Sequence, residues 1–105
     1  MKYTMKIYSQ EVEKLIITEP KNRLMENVLG LGEEAGEVLG KIKKLVRDKN
    51  YSKSEIIKEL GDVLFYVTAI ANYLGDNLQV VADMNMAKLK DRKKRNAIQG
   101  SGDNR

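Results

Sequence analysis

The sequence predicts an all-α protein, four helices in one bundle that is completed by oligomerisation. Three observations carry this. Pro20 is the single proline in 105 residues, no stretch sustains the two-residue alternation of a half-buried strand, and apolar residues recur at helical spacing through most of the chain. A chain of this length fits one domain. It buries only about two-thirds of the surface it exposes when unfolded, so a second copy is an effective way to complete the core.

The first helix is expected from about Thr4 to Ile17, with Ile7, Val12, Leu15 and Ile16 apolar. It ends before Pro20, whose fixed φ and missing N–H suit the opening turn of the next helix. The second is expected from about Lys21 to Asp48. Its Leu24, Met25, Val28, Leu31, Ala35, Val38, Leu39, Ile42, Leu45 and Val46 fall on one broad arc, expected to face the core. Gly32, Gly36 and Gly40 form a neighbouring stripe. Each destabilises a helix by about 1 kcal/mol relative to Ala, so close approach of another helix is the expected compensation.

Ser52 followed by Glu55 is a capping-box pattern that starts a third helix, which Gly75 stops. Within it, Leu60 to Leu74 is apolar nearly all round and Asp62 is the only charge. An unpaired buried carboxylate is costly, so Asp62 needs a cation, strong hydrogen bonds or a wet cavity. Glu59 lies one turn earlier on the same face, where two like charges destabilise a helix unless a counter-ion sits between them. After Asp76 or Asn77 as N-cap, Leu78, Val81, Met84 and Leu89 give a fourth helix that fades near Arg95. The domain is expected to span 1–98, with 99–105 a flexible, Gly-rich tail.

Composition narrows the chemistry. The chain has no His and no Cys, which excludes a Ser-His-Asp triad, a thiol nucleophile, disulfides, haem and the usual zinc sites. A metal must be held by oxygen, which suits Mg2+, Mn2+ or Ca2+. The longest uncharged run, Val63 to Gly75, has 13 residues, against about 20 for a spanning helix, so a cytoplasmic protein is expected. The net charge of +4 belongs to the C-terminal segment, where Lys88 to Arg105 holds seven basic and two acidic residues.

The acidic residues form two groups, Glu33-Glu34-x-x-Glu37 on the second helix and Glu59-x-x-Asp62 on the third. An antiparallel pairing of those helices presents up to five carboxylates around one small volume, which fits Mg2+ with several waters retained. The bland reading is a solvated acidic surface, with Glu37 paired to Lys41 and Lys58 near Asp62. It leaves the aspartate in an apolar run and the glycines beside the glutamates unexplained.

In GLGEEAGEV, IIKELGDVLFYV and NMAKLKDR the sequence resembles the MazG-like, all-α nucleoside triphosphate pyrophosphohydrolases. These also include dimeric dUTPases, dCTP pyrophosphatases and phosphoribosyl-ATP pyrophosphohydrolase. The resemblance implies a MazG-like bundle that hydrolyses a (d)NTP to the monophosphate and pyrophosphate, with Mg2+ as cofactor and Mn2+ as a possible substitute. By position, its metal ligands fall on Glu34, Glu37, Glu59 and Asp62. Glu33 also matches the motif, as a residue that orients water, deprotonates it or binds a further ion, and the resemblance makes Glu33 and Glu34 the expected catalytic pair.

On the fourth helix Asn85, Lys88 and Arg92 share one face, where the arginine fork and the lysine ammonium can grip phosphates. Tyr66 and Tyr73 lie one and three turns beyond Asp62, with core packing as their expected use. The expected partners are a nucleoside triphosphate and further copies of the chain, as a homodimer or homotetramer. No membrane partner is expected. One alternative is a small helical nucleic-acid-binding module using Lys88 to Arg95, against which stand the single short basic segment and the lack of interleaved aromatics. Another is a helical interaction protein whose acidic cluster does not catalyse.

Overall fold

A computed structural model describes residues 2–50 and 52–105, and among these it is all-helical, with no strand. Four α-helices follow in order: α1 (Met5–Lys14), α2 (Arg23–Asp48), α3 (Lys53–Tyr73) and α4 (Leu78–Lys94). A 3₁₀ turn at Pro20–Asn22 precedes α2, so Pro20 opens that turn and α2 begins three residues later. Among the described residues no helix is long and apolar enough to cross a membrane.

The ends follow local chemistry. Thr4 Oγ1 accepts from the Ile7 N–H at 3.1 Å, and Asn77 Oδ1 accepts from the Val80 N–H at 3.0 Å, each satisfying a donor the helix cannot use. Asn77, not Asp76, is therefore the cap of α4. At α3 only half of the capping box forms: the Glu55 N–H reaches Ser52 Oγ at 3.4 Å, while the Glu55 carboxylate turns to Lys41, 3.6 Å away. Gly75 adopts φ +88°. Its N–H bonds to the Asn72 carbonyl and the Asp76 N–H to the Ala71 carbonyl, the Schellman pattern for which glycine is the usual residue. α1 is shorter than expected, because Leu15 already lies beyond its last turn and Ile17 stands out in solvent.

α2 and α3 pack lengthwise as an antiparallel hairpin. Partners at successive levels show the register: Arg23 reaches the Ala69 carbonyl, Gly30 meets the Tyr66 ring, Glu34 meets Asp62 and Glu59, and Lys41 meets Glu55. α1 lies across α3 and α4. The core sits at that junction, where Val12, Ala69, Ala71 and Leu78 are buried. Ser9 is buried beside them, with its hydroxyl donating to the Met5 carbonyl at 2.8 Å and accepting from the Leu78 N–H at 2.9 Å.

Two packing expectations fail. The apolar arc of α2 does not all face a core: Leu39 is 70% and Val46 74% exposed, and Met25 and Val28 are exposed as well. A Cβ on Gly32, Gly36 or Gly40 would meet nothing within 4 Å, so no helix of this chain approaches that stripe. The radius of gyration, 16.3 Å, exceeds the roughly 13 Å of a compact chain this long. One chain has too few elements to cover both faces of a 26-residue helix.

Candidate functional site

The α2–α3 register brings Glu34 opposite Glu59 and Asp62. One carboxylate oxygen from each lies within 4.8 Å of the others, an arrangement able to hold a metal ion. Helical spacing supplies the rest, because Glu59 and Asp62 are three residues apart and point the same way. Glu33 and Glu37 lie outside this group of three, though both add to the negative field at Glu34.

Among the described residues no Lys or Arg pairs with Glu34, Glu59 or Asp62, and no hydrogen bond reaches their side chains. The expected surface pairings do not occur. Lys41 turns to Glu55 instead of Glu37, and Lys58 does not pair with Asp62. Asp62 is also exposed, not buried as its apolar neighbourhood in the sequence predicted; α3 is covered by its own chain only in part, so water still reaches the aspartate. Partial burial raises the Glu34 carboxyl above its usual range, and the charges of Asp62, Glu59, Glu33 and Glu37 add to that rise. A bound cation would act in the opposite sense, favouring the charged form.

Two further side chains frame the cluster. The Tyr8 hydroxyl, on α1, titrates above its ordinary value through burial and then through the negative charge of Asp62, so α1 lies within electrostatic reach of the acids. The Tyr66 ring lies where a Cβ on Gly30 would be. Tyr66 and Gly30, with Glu26, Asn27, Leu29 and Glu33, line a cleft of about 330 Å3 that Thr18 also borders. Asn27 is buried and its Nδ2 has no partner. Sequence reasoning passed over Gly30, Asn27 and Tyr8; the signal for Gly30 was its place one turn before Glu34 on the same face. Tyr73 stacks instead under the Arg23 guanidinium, 5.9 Å from the ring centre.

A larger cleft, about 590 Å3, lies between α1 and the α3–α4 turn. It shares no residue with the cluster. Several of its polar groups serve the fold: Asn72 Nδ2 donates to the Ser9 carbonyl and to Glu13 Oε1, and Asn77 caps α4.

On α4, Lys88 and Arg92 come together and Asn85 stays exposed beside them without a side-chain bond. Both cations are already engaged by residues 102–103: Lys88 Nζ stands 3.1 Å and Arg92 Nη2 3.4 Å from Asp103 Oδ1.

Comparison with known proteins follows the same residues. The Gene 37 protein of Mycobacterium phage L5 is 46% identical over 82 residues, covering 73% of this chain and 72% of that protein. No solved structure gives a significant match. Residues 22–96 match the MazG nucleotide pyrophosphohydrolase domain. That span runs from the turn before α2 to the end of α4 and takes in every acid of the cluster, and the chain accordingly belongs to the MazG nucleotide pyrophosphohydrolase family.

Proposed function

We propose that this protein cleaves a nucleoside triphosphate between the α and β phosphorus atoms, releasing the monophosphate and pyrophosphate, in a Mg2+-dependent reaction. The observation that carries the reading is the convergence of Glu34, Glu59 and Asp62 with no internal cation. Three carboxylates at this spacing repel one another unless a positive charge joins them. The donor set is all oxygen, which fits Mg2+, and Mn2+ as a substitute. Glu34, Glu59 and Asp62 would hold the ion, with Glu37 one turn beyond Glu34 as the fourth ligand of the family pattern. A bound ion supplies charge neutralisation on the phosphate oxygens and a lowered water pKa.

The chain's own residues would do the rest. Glu33 lines the cleft with Tyr66 and Gly30 and adds its charge to the field at Glu34; in this reading its carboxylate accepts the proton of the attacking water. The P–O bond to the bridging oxygen breaks as the new P–O bond forms, and pyrophosphate leaves with that oxygen. A cleft of about 330 Å3 is at the small end of ligand sites and suits the nucleoside. Lys88 and Arg92 serve the phosphates, with Asn85 beside them.

A second copy of this chain completes the fold in this reading. Leu39, Val46, Met25 and Leu29 on α2 stand exposed together with Leu60 and Leu64 on α3, and the chain is expanded for its length. A face repeated on both partners suits a two-fold dimer or a dimer of dimers. Light scattering that finds a stable monomer at micromolar concentration would refute it.

The activity is tested with a panel of (d)NTPs and Mg2+, following monophosphate and pyrophosphate. Pyrophosphate as first product supports the reading; orthophosphate as first product overturns it. EDTA should abolish turnover.

A further inference from the structure

Residues beyond α4 turn back on the helix they follow. Asn96 at φ +58° closes the helix, and Gly100 and Gly102 take φ +138° and +83°, values that glycine adopts without strain. The Arg105 guanidinium donates to the carbonyls of Ala97, Ile98 and Gly102, and Arg95 Nη2 donates to the Arg105 carbonyl. This loop delivers Asp103 to Lys88 and Arg92, which the helical repeat places one turn apart.

Arg92 is only 4% exposed, and everything its side chain bonds to belongs to this loop. Nη2 donates to the Asp103 carbonyl at 2.6 Å, to the Gly102 carbonyl at 3.4 Å and to Asp103 Oδ1 at 3.4 Å, while buried Nε has no partner. Asp103 Oδ1 also accepts from Lys88 Nζ at 3.1 Å. One carboxylate oxygen thus sits between an ammonium and a guanidinium, where an anion's oxygen belongs. The carboxylate itself is 82% exposed, so a ligand in solution can reach it.

We propose that Asp103 is an internal anion holding the Lys88–Arg92 site closed, and that a polyphosphate opens the site by taking its place. The inference rests on the proposed role of Lys88 and Arg92 in gripping phosphates, and adds that this grip is autoinhibited. A phosphoryl group is the better ligand, with more charge and three acceptor oxygens, enough for Lys88, Nη2 and the unpartnered Nε of Arg92 together. The Lys88–Asp103 pair is open to solvent on both sides, and such pairs are weak, so the carboxylate yields to a ligand of higher charge.

The test is pyrophosphate binding by calorimetry in metal-free buffer, with wild type, Asp103→Asn and Lys88→Gln. Asp103→Asn removes the competing charge and keeps the backbone contacts of the loop; it should bind pyrophosphate about three- to fivefold more tightly, the worth of one exposed ion pair. Lys88→Gln should bind it more weakly than wild type. Affinity in Asp103→Asn equal to or below wild type overturns the proposal, as does Lys88→Gln binding as well as wild type. Circular dichroism confirms that both variants are folded. Since no turnover is involved, a failed hydrolysis assay would refute the activity and leave this measurement decisive.

Discussion

Two glutamates in this molecule, Glu13 and Glu34, behave oppositely because of what faces them. At one end of the α2–α3 hairpin, Glu13 faces Arg23, whose Nη1 and Nη2 donate to its two carboxylate oxygens at 2.6 and 2.7 Å. Nη2 also reaches the Ala69 carbonyl, and Asn72 donates to the same carboxylate. The arginine hydrogen bonds hold the Glu13 carboxyl below its usual range. Two to three helical turns along α2, Glu34 has no such partner and titrates high. The first acid ties α1, α2 and α3 together; the second works against the fold that positions it. A carboxylate satisfied from within serves stability, and one left unsatisfied beside others is held for a ligand.

The largest effect that distinguishes the two sites is expected at Asp62. Asp62→Asn removes one of three mutually repelling charges, so melting in EDTA should be unchanged or higher. Mg2+-dependent turnover should fall by on the order of 10²-fold or more, since the ion's share is several kcal/mol. Stabilisation by Mg2+, clear in wild type, should nearly vanish in the variant. A metal-free variant that melts well below wild type while keeping its Mg2+ response would remove Asp62 from the site.

Arg23→Ala should do the reverse, destabilising the protein by about 2–3 kcal/mol through the lost charge-assisted bonds while leaving Mg2+ stabilisation intact. Denaturant melts with and without Mg2+ read both quantities. Loss of the metal response with Arg23 would mean that the two sites are one coupled unit.

Glycine substitutions draw the next contrast. Gly30→Ala forces a methyl into the Tyr66 ring and should destabilise by about 1–3 kcal/mol, as overpacking does. Gly36→Ala meets open space within the chain and should stabilise by up to about 1 kcal/mol. A loss at Gly36 in a thermal melt would show a second copy packed against that stripe.

The smallest effect is the pH response, in which the two acids have opposite signs. Glu34, raised above its unfolded value of 4.5, disfavours folding when ionised. The metal-free protein therefore gains stability as pH falls from neutrality through the range just above that value. Glu13, lowered, contributes stability above 4.5 that is lost as pH falls below it through its folded value. Melting temperature against pH should rise and then fall. Glu34→Gln should remove the rise and Glu13→Gln should soften the fall.

Much of this was legible in the chain. Thr4 and Asn77 capped helices because Oγ1 and Oδ1 chemistry is local, and the spacings of Glu34, Glu59 and Asp62 put the acids on facing sides of two helices. Periodicity identifies an apolar face without saying which chain covers it, so the α2 arc and the glycine stripe were assigned to a core that one copy does not supply. Asp62 was expected buried for the same reason. Ser9 bonding to the Leu78 N–H, Glu13 to Arg23, and Asp103 to Lys88 depend on where distant elements meet, and no local pattern announces them.

The hairpin that carries the cluster also sets when the cluster forms. Glu34 meets Glu59 and Asp62 because α2, ended by Lys49 at φ +53°, is followed directly by the antiparallel α3. Those contacts need neither α1 nor α4 in place, so pairing of the hairpin alone brings the carboxylates together. Their repulsion is met as soon as α2 and α3 pair, and a cation bound at that stage would relieve it before the rest of the chain docks.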